Sequence, residues 1–351
     1  MRRLPVYFLI DVSESMIGEP IQQVEEGLAT IIKELKRDPY ALETVYISII
    51  IFAGKAKTIV PLTDIISFYP PRMPIGGGTS FGTGLLHLIN ELDSNIVKTT
   101  LDRKGDWKPL VFLFTDGSPT DSYQNALSVW SARWKNKSSM VAVSFGKDAD
   151  LSVLNQLTEE VLVFNNSDAN SYTQFFKWIT SSIQASSQSV NMGQGDDLNL
   201  PSAHGIDLEK APEAASSGPT TVDSSVATFL VRCQTNRRHY LIKYDRLVEG
   251  KEMFGLSFQS SGYRLAGAYP LSDEYFTLSS GDGMVNSSVS SDNLIGAPNC
   301  PCCGNPYGLS KCPCGKLFCA DDSDRAHCPW CERDLHSGAA GGPIDLSRTQ
   351  G

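Results

Sequence analysis

The nine cysteines are spread very unevenly along the 351 residues: none precedes Cys233, and eight fall between Cys300 and Cys331. Cys300/Cys303 and Cys328/Cys331 are C-x-x-C pairs, Cys312/Cys314 is a tighter C-x-C pair, and Cys319 follows five residues later. A stretch of this length cannot build a stable apolar core by itself. Cysteine pairs at this spacing form knuckles that offer two thiolates to one tetrahedral Zn2+, and metal binding then supplies the missing folding free energy. Two such sites need eight ligands. Cys300, Cys303, Cys312, Cys314, Cys319, Cys328 and Cys331 give seven, and either His327 or Cys302 gives the eighth; the pairing stays open, as does a single site with four thiols left over. Cys302 adjoins Cys303, and two neighbours do not bind one ion comfortably, so Cys302 also reads as a free thiol. Cys233 reads as a buried β-strand thiol. Thiolate-rich zinc sites are closed and structural, whereas catalytic zinc keeps an open position.

A secreted disulfide framework is the competing explanation for so many cysteines, and it usually comes with a leader peptide. The amino-terminal run Leu4–Ile10 follows Arg2 and Arg3, but Pro5 interrupts it, Asp11 ends it and no small-residue cleavage site follows, so it reads as a first strand. No apolar run is long enough to span a membrane. The reading is a cytoplasmic chain without membrane insertion. The net charge of -9 argues against a general nucleic-acid or anionic-membrane binder, and no local basic patch stands out in the sequence.

Residues 1–185 alternate strand and helix patterns. Val6–Ile10, Val45–Phe52, Leu110–Thr115, Met140–Phe145 and Val161–Phe164 are short apolar runs suited to strands buried on both faces. Glu19–Lys36, Phe81–Ile96, Tyr123–Trp134, Leu151–Leu157 and Tyr172–Ile183 carry apolar residues at helical spacing. This pattern predicts an α/β domain with a mostly parallel sheet flanked by helices. Residues 186–224 lack aromatic residues, are rich in Ser, Gly, Pro and Asp, and read as a flexible linker. Residues 225–340 read as a small β-rich, cysteine-rich zinc-binding domain, with a polar spacer at 279–296.

Three fragments of the first domain share a chemistry. Asp11-x-Ser13-x-Ser15 ends the first strand, Gly76-Gly77-Gly78-Thr79 precedes a helix, and Thr115-Asp116-Gly117 ends the third clear strand. All three fall where strands of a parallel sheet run into loops, the usual ligand crevice of such folds. Asp11, Ser13, Ser15, Thr79 and Asp116 offer oxygen ligands only, which suits Mg2+ or another hard divalent cation. The set is incomplete and leaves room for an acidic ligand from another protein. His87 is the only histidine of this region and reads as a surface or packing residue, there is no cysteine nucleophile, and the glycine run lacks the Gly-Lys-Ser/Thr of a P-loop. Apart from the metal-site aspartates, Glu14 is the one candidate base, and the domain reads as non-enzymatic.

The D-x-S-x-S, Gly-rich-Thr and T-D-G fragments, in this order, resemble the von Willebrand factor A domain over about residues 1–185. The resemblance implies a Rossmann-like sheet and a metal-ion-dependent adhesion site at the five residues. Followed by CPCCG, CPCGKLFC and CPWC, the whole resembles the TerY proteins of bacterial tellurium-resistance and stress-response gene clusters. That resemblance implies an adaptor or scaffold acting with a Ser/Thr protein kinase and a PP2C-type phosphatase. Two alternatives come from other classes: an accessory subunit of a chelatase-type AAA+ ATPase complex, and a thiol-based metal or metalloid sensor.

Overall fold

The structure is a computed structural model that describes residues 2–116, 118–145, 151–164, 169–191, 208–210, 225–253, 256–280, 284–323, 325–336 and 342–349. The chain divides into two compact units. The first comprises Met1–Val12, Glu19–Met73 and Thr79–Pro219; the second comprises Ser13–Gly18, Pro74–Gly78 and Thr220–Gly351.

In the first unit the elements run β1 (Leu4–Asp11), α1 (Glu19–Leu35), α2 (Pro39–Thr44), β2 (Val45–Phe52), β3 (Ala56–Asp64), α3 (Phe81–Asn95), β4 (Leu110–Thr115), α4 (Gln124–Arg133), β5 (Ser139–Phe145), α5 (Leu151–Leu157), β6 (Glu160–Phe164), α6 (Ala169–Asn191) and β7 (Leu208–Lys210). They form one seven-stranded sheet in the order β3-β2-β1-β4-β5-β6-β7. β2, β1, β4, β5 and β6 are parallel, and β3 and β7 close the two edges antiparallel. Every residue of β1 and β4 is buried, as continuous apolar runs require when both faces are covered. One face holds Leu85, Leu88, Leu92, Trp130 and Val153 from α3, α4 and α5. On the other, Phe8 stacks on Phe112, and Phe114 meets the Phe175 and Phe176 rings of α6 edge-on. α1 buries the stripe Ile21, Val24, Leu28, Ile31, Ile32 and Leu35. Gly27 lets α6 approach: a Cβ there would sit 2.2 Å from the Phe176 ring.

The expected α/β architecture is present. Two elements were invisible in the sequence. β3 is half-exposed throughout and contains Pro61, so it shows neither alternation nor an apolar run, which is how an edge strand looks. α2 is only six residues long. The stretch expected to be linker begins inside α6, which continues to Asn191, and contains β7. Its remaining residues, 192–207 and 211–224, lie outside the described residues.

In the second unit, β8 (Val226–Arg232), β9 (His239–Met253) and β10 (Leu256–Pro270) are followed by α7 (Glu274–Leu278), β11 (Met284–Ser290), β12 (Leu294–Ile295), β13 (Tyr307–Lys311), β14 (Leu317–Ala320), β15 (Arg325–His327), β16 (Asp334–His336) and β17 (Asp345–Thr349). A six-stranded sheet runs β12-β10-β9-β8-β14-β13, and β11/β17 and β15/β16 make two ribbons. The supposed spacer 279–296 therefore contributes β11 and β12. Phe229, Val231, Tyr240, Tyr244 and Leu317 pack with Cys233, Cys300 and Cys319; Cys312, Phe318, Ala326 and Cys328 form a smaller cluster. Successive strand residues face opposite ways, so β14 sends Leu317 and Cys319 into the first cluster and Phe318 into the second.

Candidate metal centres

Four tight turns carry every thiol but Cys319, which lies in β14, and three of them share one hydrogen-bond pattern. At Cys300 the backbone N–H donates to Asn305 O (2.8 Å), and Gly304 N–H donates back to Cys300 O (2.9 Å). At Cys328 the same pair runs to Arg333 O (3.0 Å) and from Glu332 N–H (2.9 Å). At Cys233 it runs to Arg238 O (2.8 Å) and from Arg237 N–H (3.0 Å). Each turn places its returning residue in the left-handed region: Gly304 at φ 81°, Glu332 at 60° and Arg237 at 60°. The Cys312 turn is one residue shorter, closing through Lys316 O and Gly315 at φ 87°, which matches its C-x-C spacing.

The turns assemble into two sets of four sulfurs: Cys233, Cys300, Cys303 and Cys319, and Cys312, Cys314, Cys328 and Cys331. Within each set all sulfurs lie within 4.8 Å of one another. Cys303 and Cys319 Sγ are 3.8 Å apart, Cys312 and Cys331 3.7 Å, Cys314 and Cys328 3.9 Å. A Zn–S bond of ~2.3 Å gives a tetrahedron with an edge of about 3.8 Å, so both donor sets fit zinc. Parallel pairing of Leu317 with Val231 and Phe318 with Arg232 carries Cys319 to the level of Cys233.

The two sets take in Cys233 and leave out His327 and Cys302. His327 lies in the β15–β16 ribbon, where its Nδ1 meets Asp334 Oδ1 at 2.9 Å. Cys302 lies outside both sets, and burial pushes its thiol up to about 11. Cys233 was missed because it has no cysteine partner two or three residues on. The second knuckle position is Asn236, whose side chain accepts from Arg238 N–H and donates to Cys302 O.

The thiols are tuned unequally. At Cys303 burial acts upward, but the Asn305 backbone N–H, the Thr235 hydroxyl and neighbouring thiols outweigh it and bring the group down to about 7. Cys331 is held at about 7, first by the Arg333 backbone N–H. Burial raises Cys312 to about 12 and also raises Cys233, Cys319 and Cys328.

Of the candidate oxygen ligands, Asp11 and Asp116 stand at carboxyl ends of strands, and Ser13, Ser15 and Thr79 lie in loops. In the first unit, Asp11 is the last residue of β1 and fully buried; its Oδ2 accepts from Thr115 Oγ1 (2.7 Å) at the end of neighbouring β4. Asp116 follows directly and is half-buried. Thr79 is clasped to the loop after β4 by a reciprocal pair: Thr79 N–H donates to Thr120 Oγ1 (2.9 Å) and Thr120 N–H to Thr79 O (2.9 Å). Asp121 holds the start of α3, accepting from Gly82 and Thr83 N–H (3.0 Å each). Thr120 and Asp121 went unnoticed in the motifs, and Thr115, part of the T-D-G fragment, was given no role of its own. In the second unit, the turn after β1 buries Ser13 and Ser15, whose hydroxyls are 2.9 Å apart. Lys243 Nζ donates to Ser15 O, and the Tyr275 hydroxyl donates to buried Glu14. Burial, then the Glu14 charge, push the Tyr275 hydroxyl far up. His87 Nε2 lies 2.8 Å from Thr58 Oγ1, a packing role.

Residues 6–178 match the family model of the von Willebrand factor type A domain, and residues 223–351 match that of the TerY-C metal binding domain. Inter alpha-trypsin inhibitor heavy chain 4 of Mus musculus is 29% identical over 164 residues, covering 43% of this chain and 16% of that protein. Inter-alpha-trypsin inhibitor heavy chain H1 of Sus scrofa is 28% identical over 119 residues, covering 33% and 13%. The chain thus spans about a sixth or less of the length of these relatives. Among solved structures, the ArnB paralog VWA2 from Sulfolobus acidocaldarius aligns with a TM-score of 0.38 at 11% identity, covering 79% of this chain and 69% of that one. Proximal thread matrix protein 1 from the mussel byssus, with a zinc-occupied MIDAS motif, aligns with a TM-score of 0.38 at 19% identity, covering 52% and 46%.

Proposed function

Because the chain joins a von Willebrand factor A domain to a TerY-C metal binding domain, we propose that it is a non-catalytic, metal-dependent protein-interaction adaptor. Asp11, Ser13, Ser15, Thr79 and Asp116 hold Mg2+ or another divalent cation and leave part of its shell to a carboxylate of the partner. The observation that carries this reading is the tie between buried Asp11 and Thr115 at adjacent strand ends, with Thr79 clasped to the loop that follows Asp116. Two Zn2+ ions, one in each four-cysteine set, are structural. Glu14, the remaining candidate base, is buried and takes the Tyr275 hydroxyl, which supports a non-catalytic reading. The partners are a Ser/Thr protein kinase and a PP2C-type phosphatase of a bacterial tellurium-resistance or stress system, and the location is cytoplasmic. Among the described residues no helix is long and apolar enough to cross a membrane.

The test is a pull-down from native extract in Mg2+ buffer with tagged wild type and Asp11→Ala, both shown by zinc content to keep a folded C-terminal region. A kinase or phosphatase retained by wild type alone is the expected outcome. Recovery of the same partners with both proteins, or of an AAA+ ATPase in their place, overturns it.

A further inference from the structure

The strands of the first unit have a second end. Arg2 and Arg3 precede β1, residues 96–109 precede β4, and residues 131–138 precede β5. These three strands are parallel neighbours, so the three segments share the end opposite Asp11. The eight residues of β1 put the two ends about 25 Å apart. Nine of the chain's 30 basic residues lie in these segments: Arg2, Arg3, Lys98, Arg103, Lys104, Lys108, Arg133, Lys135 and Lys137. The only carboxylates of the same segments are Asp102 and Asp106, in a chain whose overall charge is -9. Sequence inspection misses this patch because no one segment carries it.

Some of these cations have structural work. Arg3 pairs with Asp106 (2.6 Å) and donates to Asn95 O at the end of α3; Arg133, at the end of α4, pairs with Asp93 (2.6 Å). Cations at helix carboxyl ends are favourable in any case. Arg2 lies over the Trp107 ring at 3.6 Å, and Lys135 donates to Gln156 O. Lys98, Arg103, Lys104, Lys108 and Lys137 form no ion pair among the described residues. Lys98, Lys108 and Lys137 line a cleft of about 630 Å³ together with Trp107 and Trp134, a volume in the range of ligand sites.

The cleft wall is built. The loop before β4 is folded by Asp106 N–H on Val97 O (2.8 Å), Thr100 N–H on Arg103 O (2.8 Å) and Gly105 N–H on Thr99 Oγ1 (3.0 Å). At Gly105 a Cβ would come within 2.3 Å of Val97 O, so the loop closes only with glycine there. At its tip Leu101 is fully exposed.

We propose that this cleft is a docking site for an acidic peptide segment of a partner protein, one that carries an apolar residue beside its carboxylates. Charge complementarity selects an anion. A peptide fits better than a nucleic acid because the aromatic faces a base would stack on are taken: Arg2 covers Trp107, and Trp134 is buried with its Nε1 on Asp93. Ile96, Val97 and Ala132 in the cleft lining give an apolar side chain a place to rest. The site is separate from the metal centre and does not rest on the function proposed above.

The test uses the full chain in zinc-containing buffer and three probes at about 50 mM salt, where surface charge is weakly screened. They are an eight-residue peptide of glutamate and leucine, its glutamine counterpart, and an oligothymidylate of equal charge. Binding is read by calorimetry for wild type, for Lys98→Glu/Lys137→Glu, and for Lys33→Glu/Lys177→Glu, which changes net charge equally on α1 and α6. The acidic peptide should bind wild type and the α1/α6 variant alike, within about twofold. It should bind the cleft variant about tenfold or more weakly, and the glutamine peptide should not bind. Equal weakening in both variants, no saturable binding to wild type, or tighter binding of the oligothymidylate overturns the proposal.

Discussion

Replacing Cys233 with serine tests the assignment of the eighth thiolate directly. Cys233 is fully buried and belongs to a set whose sulfurs lie within 4.8 Å of one another. Structural zinc in small domains is worth roughly 10–16 kcal/mol; shared among four thiolates, that is about 2.5–4 kcal/mol each. At 1.4 kcal/mol per decade, Cys233→Ser should cost the first site on the order of 10²–10³ in affinity. The second set shares no ligand with the first and should keep its metal. Metal analysis after dialysis against a competing chelator, set to spare both wild-type sites, should give two zinc ions per chain for wild type and one for the variant. Cobalt substitution should show half the thiolate charge-transfer intensity. His327→Ala and Cys302→Ser should each retain two ions. If Cys233→Ser keeps both ions against the same chelator, or if His327→Ala loses one, the assignment of ligands is wrong.

The remaining expectations concern the oxygen site, the α3 start and pH. Thr115→Val removes the 2.7 Å bond to Asp11 and should weaken Mg2+ binding by about 10–100-fold, as loss of a ligand's supporting hydrogen bond does, with secondary structure unchanged; calorimetric titration reads the loss. Asp121→Ala frees the two N–H groups at the start of α3 and should cost about 1–2 kcal/mol in urea unfolding. Zinc affinity should fall with acid. In the metal-free protein Cys233 and Cys319 of one set, and Cys312 and Cys328 of the other, are raised and fully protonated near neutrality. Each must lose its proton on binding, so affinity should drop by about 100-fold or more in each set per unit of pH between about 7 and 6. A flat profile, read by chelator competition, contradicts the thiolate assignment.

The sequence announced the parallel strands because strands buried on both faces are nearly continuous apolar runs, and β1, β2, β4 and β5 are. It announced the stripe of α1 because apolar residues recur there at helical spacing on one face. β3 was hidden because an edge strand has one partner and little to bury. β11 and β12 were hidden in a Ser- and Asp-rich stretch whose pairing comes from distant residues: Val289 with Leu346, and Leu294 with Tyr263. At the metal centres, seven thiols were legible because knuckle spacing is local. Cys233 was not, since its set is completed only when β14 pairs with β8. The repeated turn geometry offers a signal for such cases: Cys-Gln-Thr-Asn-Arg-Arg is a knuckle with one sulfur omitted. Thr120 and Asp121 were passed over, and Thr115 was given no role within T-D-G, because supporting hydrogen bonds have no fixed sequence spacing from the groups they hold.

The two cysteine sets also differ in when they become available as the chain leaves the ribosome. The second draws all its sulfurs from Cys312–Cys331, a single short stretch synthesised at one time. The first must wait for β14: Gln234, beside Cys233, donates to Cys319 Sγ across 85 positions. Until that strand emerges, Cys233, Cys300 and Cys303 lack their fourth sulfur, and β8 lacks its parallel neighbour. A nascent chain stalled short of Cys319 should therefore hold no tightly bound metal in this unit.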